Sequence, residues 1–281
     1  SARYGDGLRE LFCWCGLFFD RWRRHAKHAR HTVRITKPLY MGQHEVTVGE
    51  FRRFVTATGH RTEAETDGKD GYGWNESTGK FEGLDVKYNW KSTGFGQTDV
   101  HPVVNVTWND AVKFCEWLSR TEGTECRLPS EAEWKYASRA GSSQFYSFGD
   151  SEGELARFAN VADATAKAKW GAIYPTVIYA SGRDGSSFTS AVGSLQPNGF
   201  GLYDMHGNVY EWCGDWYDKD YYKTSPVVDP RGPSEGSNRV YRGGSWGGPS
   251  QYARSAIREK GTPGSRYSFG GFRVLRSSVL E

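Results

Sequence analysis

The sequence predicts an α+β domain with few strands and unusually long, ordered loops, and three observations support that fold class. Helical patterning is confined to the first half. The second half holds short apolar pieces between Gly, Pro, Asn, Asp and Ser clusters, and no self-similar period or low-complexity linker divides the chain. Its 281 residues include 35 glycines, where average usage gives about 20, with 11 tryptophans and 2 methionines. That composition favours a loop-rich body pinned by large rigid side chains over a helix bundle. At this length one core, or one core with an appended segment, is expected.

Val33, Ile35, Leu39 and Tyr40 alternate with polar residues and mark a strand broken at Pro38. Thr47 and Glu50 form a capping box, Val48, Phe51, Phe54 and Val55 then share one helical face, and Gly59 stops the helix. Residues 60–100 read as an irregular excursion held by Tyr72, Trp74, Tyr88 and Trp90. Thr107 or Asn109 can cap a second helix with Ala111, Phe114, Cys115 and Leu118 inward. Pro129, Ser130 and Glu133 announce a third, burying Trp134 and Ala137. No convincing helix is read after Gly141. The boundary falls near residue 31, giving an amino-terminal basic and apolar segment, 1–31, and a folded domain, 32–281.

Charge and motifs exclude several functions. Lys and Arg total 36 against 33 Asp and Glu, a net +3 too small to drive nucleic-acid binding. The apolar run Leu11–Phe19 is too short to cross a bilayer. Arg21–Arg30, basic and next to Phe18, Phe19 and Trp22, reads as a solvated face beside a packed helix. An interfacial segment is the alternative, so membrane association through a removed or lipidated amino-terminal region stays open. Cys13, Cys15, Cys115, Cys126 and Cys213 are too scattered for a disulfide scaffold or a zinc site. Gly243 to Gly247 matches G-x-S-x-G, but Gly248 and Pro249 replace the required helix and the last histidine is His206, so a tight glycine turn is expected. Two loop clusters offer oxygen ligands suited to calcium, Asn160 and Asp163 with Asp184, and Asp204, Asn208 and Glu211 around Gly207; loop capping is the alternative for both.

Five ordered segments carry a family resemblance: Pro102–Trp108 (PVVNVTW), Arg127–Trp134 (RLPSEAEW), Asn198–Trp212 (NGFGLYDMHGNVYEW), Arg242–Trp246 (RGGSW) and Gly271–Arg273 (GFR). Together they resemble the formylglycine-generating-enzyme, or sulfatase-modifying factor, family over roughly residues 33–276. The resemblance implies a C-type-lectin-like fold and structural calcium. One site would use Asn160 and the Val161 carbonyl with Asp184 and the Ser186 carbonyl; the other would use Asp204, Gly207, Val209 and Glu211. Family members that make formylglycine carry two copper-holding cysteines shortly after the RGGSW segment, and this chain has Gly248 and Ala253 there. Neither can bind Cu(I) or form a mixed disulfide, so no enzyme activity is expected; a formylglycine-generating-type oxidase or a related sulfur-chemistry enzyme is the alternative.

The carboxyl-terminal region 240–275 further resembles the variable proteins of diversity-generating retroelements, in particular the treponemal type. Between anchors such as Trp246, Arg254, Arg258, Arg266 and Phe272 stand Gly247, Gly248, Ser250, Tyr252, Ile257, Gly261, Gly264, Ser265, Tyr267 and Ser268. All ten are compatible with adenine mutagenesis of Asn codons; Gln251, Glu259 and Lys260 are not. That resemblance implies a non-catalytic receptor with a diversified ligand surface at those ten positions, rich in the Tyr, Ser and Gly typical of recognition loops. It would sit at the bacterial cell surface or otherwise outside the cytoplasm and bind a protein or surface macromolecule.

Overall fold

The structure, a computed structural model, describes residues 31–68 and 71–277; the expected amino-terminal segment falls outside the described residues save for His31. Three helices form where their caps predict. Helix α1 (Val48–Thr58) begins at the reciprocal box of Thr47 and Glu50 and ends at Gly59, whose φ of 68° only glycine adopts without strain. Helix α2 (Trp108–Glu122) is capped by Thr107 rather than Asn109, with Asp110 returning the bond, and helix α3 (Glu131–Arg139) by Ser130 with Glu133. Each cap is worth about 1 kcal/mol. The first two helices meet through Phe54 and Phe114, 5.5 Å between ring centroids, and Phe272 closes on Phe114 at 5.3 Å.

The strands are short. β1 (Leu39–Met41) starts after Pro38, so the expected strand is displaced, and among the described residues upstream only Arg34 makes an isolated bridge, to Val228. It pairs with β9 (Leu275–Ser277), which also pairs with β4 (Cys126–Arg127). A second sheet runs β7-β6-β5-β8, with β5 (Tyr210–Trp216) central, β6 (Arg239–Arg242) and β7 (Glu259–Gly261) antiparallel, and β8 (Gly270–Gly271) parallel to β5.

Two elements correct the sequence reading. The excursion at 60–100 contains a hairpin, β2 (Gly71–Asn75) with β3 (Lys80–Asp85). Its glycines hide the alternation: a Cβ on Gly73 would lie 2.1 Å from the Tyr88 ring, so the ring needs the bare backbone. Helix α4 (Ala164–Trp170) follows Gly141, where none was expected. Its seven residues are too few to show a period, and it is started by Asp163, which accepts from the amides of Thr165 and Ala166.

Candidate functional site

β6 delivers the chain into Gly243 and Gly244, at φ 105° and 84°, which confirms the tight turn. A Cβ on Gly244 would stand 2.6 Å from the Ala253 Cα, so this glycine lets the 250–253 turn pack directly on the strand end. The turn is fixed from several sides. Trp246 N–H donates to the Asn208 carbonyl at 2.9 Å and its indole N–H to the Ser268 carbonyl at 3.3 Å, while Ala162 N–H donates to the Gly248 carbonyl at 3.0 Å. His206 is buried, and burial pulls its imidazole down to about 4, so it is neutral. Its Nε2 accepts from the Ser147 amide at 3.0 Å, which leaves Nδ1–H to donate to the Ala253 carbonyl at 2.7 Å.

Ser245 lies inside this turn, 1% exposed, and its hydroxyl has no hydrogen-bond partner. A Cβ built on Gly248 would stand 3.6 Å from that oxygen, an ordinary contact, so the unpaired hydroxyl borders the place where a side chain at 248 would begin. Beside it lies an aromatic wall. Trp246 packs edge-on against Phe95 and Phe188, with centroids at 5.7 and 5.4 Å, and tilted against Phe81 at 5.5 Å. Phe81, Phe95, Phe188, Tyr174 and Tyr179 are half-buried, so the wall keeps ring surface toward solvent.

Copper does not suit this turn. Gly248 and Ala253 offer no ligand atom, and the free cysteines among the described residues, Cys115, Cys126 and Cys213, are buried in other elements. Burial pushes all three thiols up, Cys126 to about 11, away from the thiolate form that binds metal.

The two oxygen clusters meet beneath the turn, where Asn160 Nδ2 donates to Asn208 Oδ1 at 3.2 Å. In the first, Asp184 accepts from the amides of Val161 and Ser186 at 3.1 and 2.7 Å, yet burial, assisted by the Asp163 charge, pushes its carboxyl up to about 7. Asn160 Oδ1 is buried without a partner. Asp163 itself is spent on capping α4 and on the Asp184 amide. In the second, burial raises Asp204 to about 6 and raises Glu211 as well. Asp204 Oδ1 and Glu211 Oε2 are both buried without partners. Glu45, which nothing in the sequence reading singled out, joins them: it is fully buried, raised by burial and by the Asp204 charge, and accepts from Asn208 Nδ2 at 2.5 Å. Arg273 answers this cluster through Glu211 Oε1 at 3.3 Å. Among the described residues no three His, Cys, Asp or Glu side chains are grouped to hold a metal, so a cation here needs the amide oxygen of Asn160 and backbone carbonyls as well. The orphaned oxygens Asn160 Oδ1, Asp204 Oδ1 and Glu211 Oε2 suit a hard divalent cation.

The ten expected ligand positions divide by burial. Gly248, Ser250, Gly261 and Ser268 are buried, Gly247, Tyr252, Ile257, Ser265 and Tyr267 are half-buried, and Gly264 is exposed. Ser250 donates to Glu152 at 2.7 Å, and a Cβ on Gly261 would reach 2.6 Å from the Tyr241 ring, so these serve packing. The solvent-facing part of the expected surface narrows to the other six, with Tyr267 stacked on Phe269 and 5.1 Å from the Tyr72 ring.

The sulfatase-modifying factor enzyme 1-like domain family matches residues 11–278. The chain is similar to a formylglycine-generating enzyme of Streptomyces coelicolor, 37% identical over 272 residues that cover 89% of this chain and 81% of the relative. Among solved structures it is similar to PvdO from Pseudomonas aeruginosa, with a TM-score of 0.69, 32% identity and coverage of 88% of this chain and 83% of that one. It is also similar to Treponema denticola variable protein 1, with a TM-score of 0.63, 26% identity and coverage of 88% and 87%. The fold is therefore the expected C-type-lectin-like one. The similarity to a named enzyme over most of the chain overturns the expectation that this protein is not an enzyme. Missing sulfur at 248 and 253 rules out thiolate chemistry at those two positions and leaves catalysis by other groups untouched.

Proposed function

Because this chain belongs to the sulfatase-modifying factor family, we propose that it is an enzyme that modifies a side chain of a peptide laid across the aromatic wall, without a copper-holding cysteine pair. The observation that carries this is the buried, unpartnered hydroxyl of Ser245 at the bare position 248. A desolvated donor without a partner costs about 1–3 kcal/mol, and a substrate group that accepts its proton recovers that cost on binding. The wall supplies apolar area for an extended segment. The Nδ1–H of neutral His206 holds the Ala253 carbonyl, so the floor beneath the substrate stays fixed. The test is a cysteine-bearing, sulfatase-type peptide incubated with the protein under oxygen, with and without a copper chelator, and read by mass spectrometry. A change in peptide mass that persists under chelation and is lost in Ser245→Ala supports the reading. No mass change in any peptide that binds overturns it.

A second reading is favoured by the likeness to the treponemal variable protein. In it, Gly247, Tyr252, Ile257, Gly264, Ser265 and Tyr267 form a diversified recognition surface for a macromolecular ligand outside the cytoplasm. A reverse-transcriptase gene beside a near-copy of codons 240–275 differing only at adenines supports it, and the lack of both removes it. We also propose that calcium ties the loops below either surface, held by Asn160, Val161, Asp184 and Ser186 and by Asp204, Gly207, Val209 and Glu211. Its contribution is to neutralise clustered carboxylates and fix the loops.

A further inference from the structure

A cavity of about 380 Å³ opens between α3 and the 221–230 segment, and it shares no lining residue with the Ser245 turn or the aromatic wall. Its walls carry Glu131, Lys135, Arg139, Asp215 and Tyr222. Glu131 and Lys135 lie one helical turn apart, a spacing at which they ordinarily pair. Here they do not. Arg258 takes both Glu131 oxygens, Nε to Oε1 at 2.5 Å and Nη2 to Oε2 at 2.7 Å, and Arg242 Nε stands 3.4 Å from Oε1. Burial opposes ionisation of Glu131, but the charges of Arg258 and Arg242 outweigh it and hold the carboxyl below its usual range.

The Lys135 charge is left in surplus among the described residues: it makes no ion pair there, and its Nζ rests 4.9 Å from the Tyr222 ring centroid. Burial, with the Arg242 charge, pulls its ammonium down to about 8, as expected of a cation crowded by cations. Arg242 is fully buried and its Nη1 has no hydrogen-bond partner. Asp215 does not balance them: burial and the Glu131 charge push its carboxyl up to about 8. Arg139, which donates to the Ser142 and Gln144 carbonyls, adds a further positive charge at the wall.

We propose that this cavity binds a small oxyanion or carboxylate, with Lys135 Nζ as its main charged donor and Arg139 beside it. An anion there would pair the ammonium that Glu131 leaves free and relieve the repulsion among Lys135, Arg139 and Arg242. The volume suits a small-molecule ligand. The site is independent of the reaction at Ser245.

The experiment is titration calorimetry of the full chain with inorganic phosphate and with sulfate against chloride at constant ionic strength. In parallel, acylation of Lys135 by an amine-reactive reagent is followed by mass spectrometry. Saturable binding and slowed acylation of Lys135 in phosphate are expected, with affinity at least about tenfold weaker in Lys135→Gln and kept in Lys135→Arg. The absence of both heat and protection up to about 10 mM phosphate overturns the proposal, as does equal binding by Lys135→Gln. Should that variant fail to fold, protection of Lys135 in the unaltered protein decides.

Discussion

Gly207→Ala tests whether one glycine joins the two oxygen clusters. Gly207 has φ 102°, and an added Cβ would lie 2.3 Å from the Asn160 carbonyl oxygen and 2.9 Å from its carbon, both backbone atoms that cannot swing aside. The positive φ alone costs an L-residue roughly 1–2 kcal/mol. Relief requires the Asn160 segment and the 207 turn to move apart, which stretches the 2.7 Å bond from Asn208 N–H to the Asn160 carbonyl and strains the 2.8 Å bond from Gly207 N–H to the Gly243 carbonyl. Weakening that pair adds about 1–2 kcal/mol. A loss of about 3 kcal/mol is expected, which for a domain of this size lowers Tm by about 6–12 °C. Urea and thermal unfolding read by circular dichroism measure it, with an unchanged denaturant slope. A loss below about 1 kcal/mol refutes the reasoning, because the Asn160 segment would then be free to move and could not hold the clusters in register.

Chelation of divalent cations is expected to lower Tm. With calcium at a hundredfold its Kd the linkage is worth about 2.7 kcal/mol, and identical unfolding with and without chelator removes the calcium proposal. Asp215, raised from 3.8 to about 8, binds an extra proton in the folded state between those values, so stability falls as pH rises through that window. The slope is at most about 1.4 kcal/mol per pH unit, and Asp215→Asn, which still accepts the Glu131 amide, should flatten it in pH-resolved urea unfolding. Thr107→Ala should cost about 1 kcal/mol by loss of the α2 cap, read in the same assay. Replacing Tyr252, Ile257, Ser265 and Tyr267 together by Ala should leave unfolding cooperative, whereas Gly261→Ala, driven into the Tyr241 ring that stacks on Trp212 at 3.7 Å, should destabilise the fold. Equal Tm values for the two variants would contradict the burial division.

What the sequence made legible is what neighbours in the chain decide. Thr47 with Glu50, Thr107 with Asp110, and Ser130 with Glu133 are three residues apart, so each cap is set by local chemistry and each helix begins where its box does. The hairpin was hidden because Gly71 and Gly73 answer to Asn105, Tyr88 and Thr93 outside it and Gly83 to the Tyr72 ring across it, not to a strand period. α4 was hidden because Asp163 looked like a ligand in an acidic loop while acting as a cap. The site divides the same way. The glycine turn and both acidic clusters are visible as composition, but Glu45 reaches Asn208 across 163 positions of sequence. Its one local signal is a carboxylate among buried neighbours, between His44 and Val46.

The glycines also explain how one scaffold can change its chemistry at this turn. Gly244 cannot carry a side chain, because its Cβ would overlap the Ala253 backbone at 2.6 Å, and Gly207 and Gly261 are closed for similar reasons. Gly248 differs: its Cβ would meet nothing nearer than 3.6 Å, and it has no positive φ. A residue of another type at 248 would therefore begin in open contact distance of Ser245 without disturbing the turn that holds it. The turn is fixed by glycines whose Cβ has no room, whereas position 248, though buried, has room for a Cβ. Whether position 248 carries a thiol or none would therefore change which chemistry the proposed site could perform while leaving Ser245, the aromatic wall and the loop supports in place.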